Sequence, residues 1–144
     1  MKIRLGYVAL PVSIPITASK TLTLTNYNKL GKKRGEEKRN KILEENINNF
    51  LEILKYNNSN DIHFYRMTSH LVPLLTYKDS YNNILIKHKE KLSIIGNYIK
   101  ENNMRVDMHP DQFLVLNSIN PNVVESTISS LNNYYELMQK LNSK

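Results

Sequence analysis

The stretch Met104-Arg105-Val106-Asp107-Met108, running straight into His109-Pro110-Asp111-Gln112-Phe113, decides how this chain is read. Met104, Val106 and Met108 alternate with polar residues, the period of a strand with one face on a core. Pro110 has no backbone N–H and stops the strand. Around that stop stand an imidazole, a carboxylate, an amide and an aromatic ring. In α/β proteins, chemistry is placed at the carboxyl ends of strands. A second strand-like run, Ile62 to Met67, ends in the same way, with Arg66, Thr68, Ser69 and His70.

Outward from these two runs the chain reads as successive strand-then-helix units. A first strand covers Ile3 to Ala9 and is ended by Pro11 and Pro15. A long Ser/Thr-rich loop to Thr25 follows, a candidate functional loop. A helix is predicted over Lys33 to Asn57, with Leu43, Ile47, Phe50, Leu51 and Leu54 on one face. Turn formers from Asn57 to Asp61 end it. A second helix, Tyr81 to Asn102, carries the stripe Leu85, His88, Leu92, Ile95 and Ile99. The third strand is Met104 to Met108. The third helix starts at Asn120 as N-cap and Pro121 as its first residue, with Val124, Ile128, Leu131, Tyr135 and Met138 inward. Strands alternating with long helices predict an α/β fold of about three βα units, parallel strands with outer helices.

Composition narrows the class. A chain of 144 residues with 40% hydrophobic and 23% charged residues can build one core. It carries no cysteine, which excludes disulfides and thiolate metal sites. No apolar run reaches the roughly 18 to 20 residues of a membrane span. Charges at Lys2 and Arg4 occupy the place of a signal peptide's apolar region, so a cytoplasmic location is the default expectation. The net charge of +7 favours a polyanionic partner. Lys29, Lys32, Lys33, Arg34, Lys38, Arg39 and Lys41 cluster around the start of the first long helix. They read either as phosphate contacts or as a solvated helix face partly neutralised by Glu36, Glu37, Glu44 and Glu45.

His70 and His109 fall at the ends of neighbouring parallel strands, within reach of one shared ion. Imidazole suits zinc, manganese or iron. Each also reads as a satisfied polar residue bonded to backbone, the commoner fate of a lone strand-end histidine. His63, near the start of its strand, and His88, among lysines on a helix, read as structural. Arg66 either binds phosphate through its planar fork or pairs with Asp107. Gln112 and Phe113 either probe a base stack or, for Phe113, pack into the core with Leu114 and Leu116.

Together these segments resemble the amino-terminal half of the UV-damage endonuclease family. The pieces that carry the likeness are Ile3 to Tyr7, Thr21-Leu22-Thr23-Leu24, Phe64 to Pro73, Met108 to Phe113, and Leu116-Asn117-Ser118. The resemblance implies a partial TIM (β/α)8 barrel, with residues 1–144 as the amino-terminal portion of one domain. It implies a metal-dependent hydrolase, cutting damaged double-stranded DNA on the 5′ side of UV photoproducts. His70 and His109 would be ligands to divalent metal, manganese being the expected ion. Gln112 and Phe113 would probe the duplex opposite the lesion, with Tyr7, Arg66 and Asn117 joining the DNA contacts. Phe113 stands where some members have tyrosine, and Pro11 where some have a lesion-holding asparagine. The chain stops before a fourth strand, so the family's later carboxylate ligands have no counterpart here and the fragment is expected to be inactive. No membrane and no obligate protein partner are expected. A sugar-isomerase-type barrel and a non-enzymatic nucleic-acid-binding module are the competing readings.

Overall fold

Alternation along three short strands sets the layout. The computed structural model describes residues 3–77 and 81–141. Its elements are β1 (Gly6–Val8), α1 (Leu24–Leu30), α2 (Lys32–Ser59), β2 (Phe64–Met67), α3 (Tyr81–Lys87), α4 (Lys89–Glu101), β3 (Arg105–Met108) and α5 (Pro121–Leu141). The strands form one parallel sheet in the order β1-β2-β3. Tyr65, Met67 and Val106 point from one face into the helix layer, where Leu43, Ile47, Phe50, Leu54, Leu92, Ile95 and Ile99 close the core. The α/β expectation of three parallel units with outer helices therefore holds. No helix among the described residues is long and apolar enough to cross a membrane.

The opposite face of the sheet is polar. The register aligns Val8, Arg66 and Asp107 across the three strands. Arg66 Nε donates to Asp107 Oδ1 at 2.9 Å, and Arg105 Nη2 lies 3.7 Å from Asp107 Oδ2. The Arg105 guanidinium stands 5.5 Å over the Phe64 ring. Phe64 in turn lies across β1 so closely that a Cβ on Gly6 would come within 2.3 Å of its ring. Only glycine fits there.

Helix α2 holds the loops that follow β1 and β2 by buried polar side chains. Asn46, fully buried, accepts from Lys20 N at 3.0 Å and donates to Lys20 O at 2.7 Å and Leu71 O at 3.1 Å. Asn49 Nδ2 donates to Thr17 O at 2.8 Å. Arg39, also fully buried, donates to Pro73 O at 2.8 Å and Leu74 O at 3.2 Å, with Glu36 3.7 Å away. Loop carbonyls that leave water need such partners, since an unpaired buried one costs about 1–3 kcal/mol. Leu74 sits at φ 54°, a left-handed conformation that costs a side-chain-bearing residue roughly 1–2 kcal/mol and persists because the loop is clamped.

Three details depart from the sequence expectations. The Thr-rich segment is not all loop. Thr23 Oγ1 accepts from Asn26 N and starts α1, which Gly31 (φ 73°) ends and redirects into α2. The second long helix is interrupted at His88, which leaves helical geometry while its Nε2 lies 3.1 Å from Asn40 Oδ1 on α2. The buried face of α5 is Thr127, Ser130, Tyr134, Leu137 and Leu141, whereas the expected Ile128 and Tyr135 are 48% and 63% exposed. Polar bonds explain that rotation. Thr127 Oγ1 accepts from Val115 N, Asn133 donates to Leu75 O, and Tyr134 donates to Asp111. Gly96 lets α4 and α5 close together, since a Cβ there would meet Leu141 O at 2.8 Å. The expected capping of α5 holds: Asn120 Oδ1 accepts from Asn122 N at 3.0 Å.

Replacing Asn46 by Ala strips partners from buried backbone groups of two loops and should lower stability by about 2–3 kcal/mol. An unchanged urea midpoint would count against this. His88 supplies a pH test. Burial, with Lys87 close by, holds its pKa below the ordinary value, and the nearby Glu44 opposes this only in part. The unfolded chain therefore takes up that proton first. Stability is full above about pH 6.5 and falls as the pH drops through the lowered folded value. Thermal midpoints measured from pH 7.5 to 5 should show this loss, and a His88→Gln chain should lose less over that range.

Candidate functional site

The helices run back against the strands, so the loops after β1, β2 and β3 and the start of α2 share one end of the sheet. After β1 the chain leaves at Ala9, whose carbonyl accepts from Tyr65 Oη at 2.7 Å. After β2, Thr68 caps a single 3-10 turn over Ser69–Leu71, its Oγ1 accepting from His70 N at 3.1 Å. That turn leaves the His70 ring exposed, with Nδ1 3.4 Å from Thr68 Oγ1. After β3, the His109 ring is also exposed, and its Nδ1 lies 2.7 Å from Pro110 O. A carbonyl only accepts, so Nδ1 is the donor in this contact and Nε2 is not used by it. Metal-binding histidines are commonly oriented in this way.

One carboxylate ties the two histidine loops together. Ser69 Oγ donates to Asp111 Oδ1 at 2.6 Å, and Tyr134 Oη donates to Asp111 Oδ2 at 2.9 Å. Ser69 is next to His70, and Asp111 follows His109 on the same short loop. β2 and β3 are paired up to Met67 and Met108, so the two imidazoles depart from adjacent strand ends. Burial first, then the Asp111 contact, pushes the Tyr134 phenol well above its ordinary pKa, so it remains a donor. Asp111 and Ser69 stand in the two strand-end runs read from the sequence but have no role there, and Tyr134 does not figure in it. Nothing local shows that the serine and a distant tyrosine converge on the carboxylate.

Gln112 and Phe113 project from this loop, Phe113 at 79% exposure. The alternative of Phe113 packing with Leu114 and Leu116 is not realised: Leu114 alone packs against the core, and Leu116 is exposed. Asn117 is exposed farther along the loop. Two other sequence candidates lie apart from it. Tyr7 is turned into the helix layer, its ring 5.1 Å from that of Tyr65 and its hydroxyl donating to Asn57 at 2.8 Å. Arg66 is committed to Asp107 on the polar sheet face. Of the basic cluster, Arg39 is buried in the loop clamp, while Lys29, Lys32, Lys33 and Arg34 are exposed at the histidine end.

Two imidazoles offer two ligands. Among the described residues no group of three His, Asp or Glu side chains is arranged to hold an ion. The donor chemistry at His109 fits a transition metal, but further ligands would have to come from outside these residues.

Comparison with known proteins places the chain. The family model described as UV-endonuclease UvdE matches residues 3–144. A UV DNA damage endonuclease of Bacillus cereus (strain B4264) is 30% identical over 142 residues, covering 98% of this chain and 45% of the relative. One from Halalkalibacterium halodurans is 33% identical, covering 96% of this chain and 44% of the relative. The chain thus spans less than half the length of the curated relatives it matches. The crystal structure of SacUVDE superposes with a TM-score of 0.86 at 33% identity, covering 97% of this chain and 46% of that one. With the family model, the curated relatives and the fold all agreeing, the chain belongs to the UV-endonuclease UvdE family.

Proposed function

We propose that these three βα units are the amino-terminal part of a (β/α)8-barrel endonuclease that incises UV-damaged double-stranded DNA on the 5′ side of the photoproduct. The observation that carries this reading is the pairing of two strand-end histidine loops through Ser69 and Asp111, beside an exposed Phe113. His70 and His109 would each give an imidazole to a divalent cation, manganese being the expected one. Such an ion supplies an activated water and neutralises charge on the phosphodiester oxygens.

The remaining roles belong to this chain's own side chains. Phe113 offers a ring face to an unstacked base, and the Gln112 amide can replace hydrogen bonds of a displaced partner. Asn117 extends the polar contact surface along the same loop. The exposed lysines and Arg34 at the start of α2 attract phosphate through counterion release. Tyr7 and Arg66, spent on Asn57 and Asp107, are left out of the contact surface. A sugar-isomerase barrel has no use for an exposed aromatic finger or a basic rim.

Phe113→Ala should weaken binding to a UV-irradiated duplex by about 1–3 kcal/mol, measured by fluorescence anisotropy. Equal affinities would remove the stacking role. Neutralising Lys32, Lys33 and Arg34 should weaken binding to damaged and undamaged DNA alike and reduce the salt dependence by about one unit of slope per charge that contacts phosphate. Because the described residues supply too few ligands for a catalytic ion, the 144-residue chain with manganese should leave UV-irradiated plasmid supercoiled. Lesion-specific nicking at low protein concentration would overturn that part of the reading.

A further inference from the structure

We propose that Asp111 is a positioning residue that locks the loop after β2 to the loop after β3, so that His70, His109, Gln112 and Phe113 are presented as one unit. Its two oxygens are divided between the two sides. Oδ1 takes the Ser69 hydroxyl at 2.6 Å from the His70 turn, and Oδ2 takes the Tyr134 hydroxyl at 2.9 Å from α5. The backbone of its own loop is fixed as well: Asp111 O accepts from Leu114 N at 3.1 Å, and Val115 N donates to Thr127 Oγ1 at 3.2 Å. Tyr134 is only 5% exposed and is anchored in the core, so the carboxylate is referred to a rigid element rather than to another loop. Hydrogen bonds to a charged acceptor are the stronger kind, and two of them converge here on loops that otherwise carry exposed side chains.

The bracket stands on these contacts alone. Its consequence for metal and DNA rests on the function proposed above, and the two parts fail separately. Tyr134→Phe and Ser69→Ala each remove one arm while leaving the ring packing or the turn intact. In the 15N-labelled chain, backbone order parameters of residues 68–72 and 109–115 should be near the rigid value of about 0.85, and both segments should fall toward about 0.6 in either variant. Loosening confined to 109–115 in Tyr134→Phe, or to 68–72 in Ser69→Ala, would overturn the bracket. So would no loosening at all.

Manganese titrations followed by broadening of the histidine ring protons read the consequence. In the parent chain the His70 and His109 signals should broaden together. In Tyr134→Phe they should separate, with apparent affinity down about tenfold. Rings that still broaden together and as tightly would refute the positioning role. If manganese affects neither ring in the parent chain, the metal reading fails, and the order parameters alone decide the bracket. Asp111→Asn, which keeps one acceptor, should fall between the parent chain and Asp111→Ala in both measurements.

Discussion

A buried amide on α2 is the constraint on which the rest of this molecule leans. Asn46 has no exposure to water, yet it satisfies backbone groups from two separate loops. Those loops follow β1 and β2, and both would otherwise carry unpaired carbonyls into the core. About two turns toward the start of the same helix, Arg39 performs the same service for Pro73 and Leu74. The long helix is therefore more than a hydrophobic lid over the sheet. It is the frame against which the functional end is measured, and the 3-10 turn bearing His70 inherits its position from it.

The opposite sheet face follows another logic. Where the helix side is sealed by Tyr65, Met67 and Val106, this face carries Arg66 and Arg105 around a single Asp107. Parallel sheets are normally covered on both faces. Here the register that stacks Val8, Arg66 and Asp107 produces a layer of ion pairs, and Gly6 lets Phe64 lie flat beneath them. The match to SacUVDE over 46% of its length shows that in that protein the same fold is one part of a longer chain. The charged layer and the histidine loops are thus separate features. One sits along the strands and the other beyond their ends.

Much of the fold was readable beforehand, for a physical reason. Strand alternation and the 3.6-residue stripes of α2 and α4 are local signals of burial, and Leu43, Ile47, Phe50, Leu92, Ile95 and Ile99 all proved buried. The failures have a shared cause. On α5 the apolar stripe pointed to Ile128 and Tyr135, but Thr127, Ser130 and Tyr134 went inside. The Thr127 and Tyr134 hydroxyls have partners that only the folded chain brings near, and those bonds chose the helix rotation over the hydrophobic pattern, whereas Ser130 bonds back to Ser126 O within α5. Likewise, nothing near Tyr7 in the chain shows that Asn57, distant in sequence, takes its hydroxyl.

The sequence by itself determined the element order, the parallel α/β class, the two strand-end histidines and the loop aromatic, because each is written in local periodicity and in short runs of residue types. Only the tertiary structure decided that Phe113 stays in solvent, that Arg66 is used by Asp107, and that Ser69 and Tyr134 meet on Asp111. Those outcomes depend on hydrogen bonds between groups far apart in the chain. No pattern within a single segment encodes which of several polar partners a buried donor will reach.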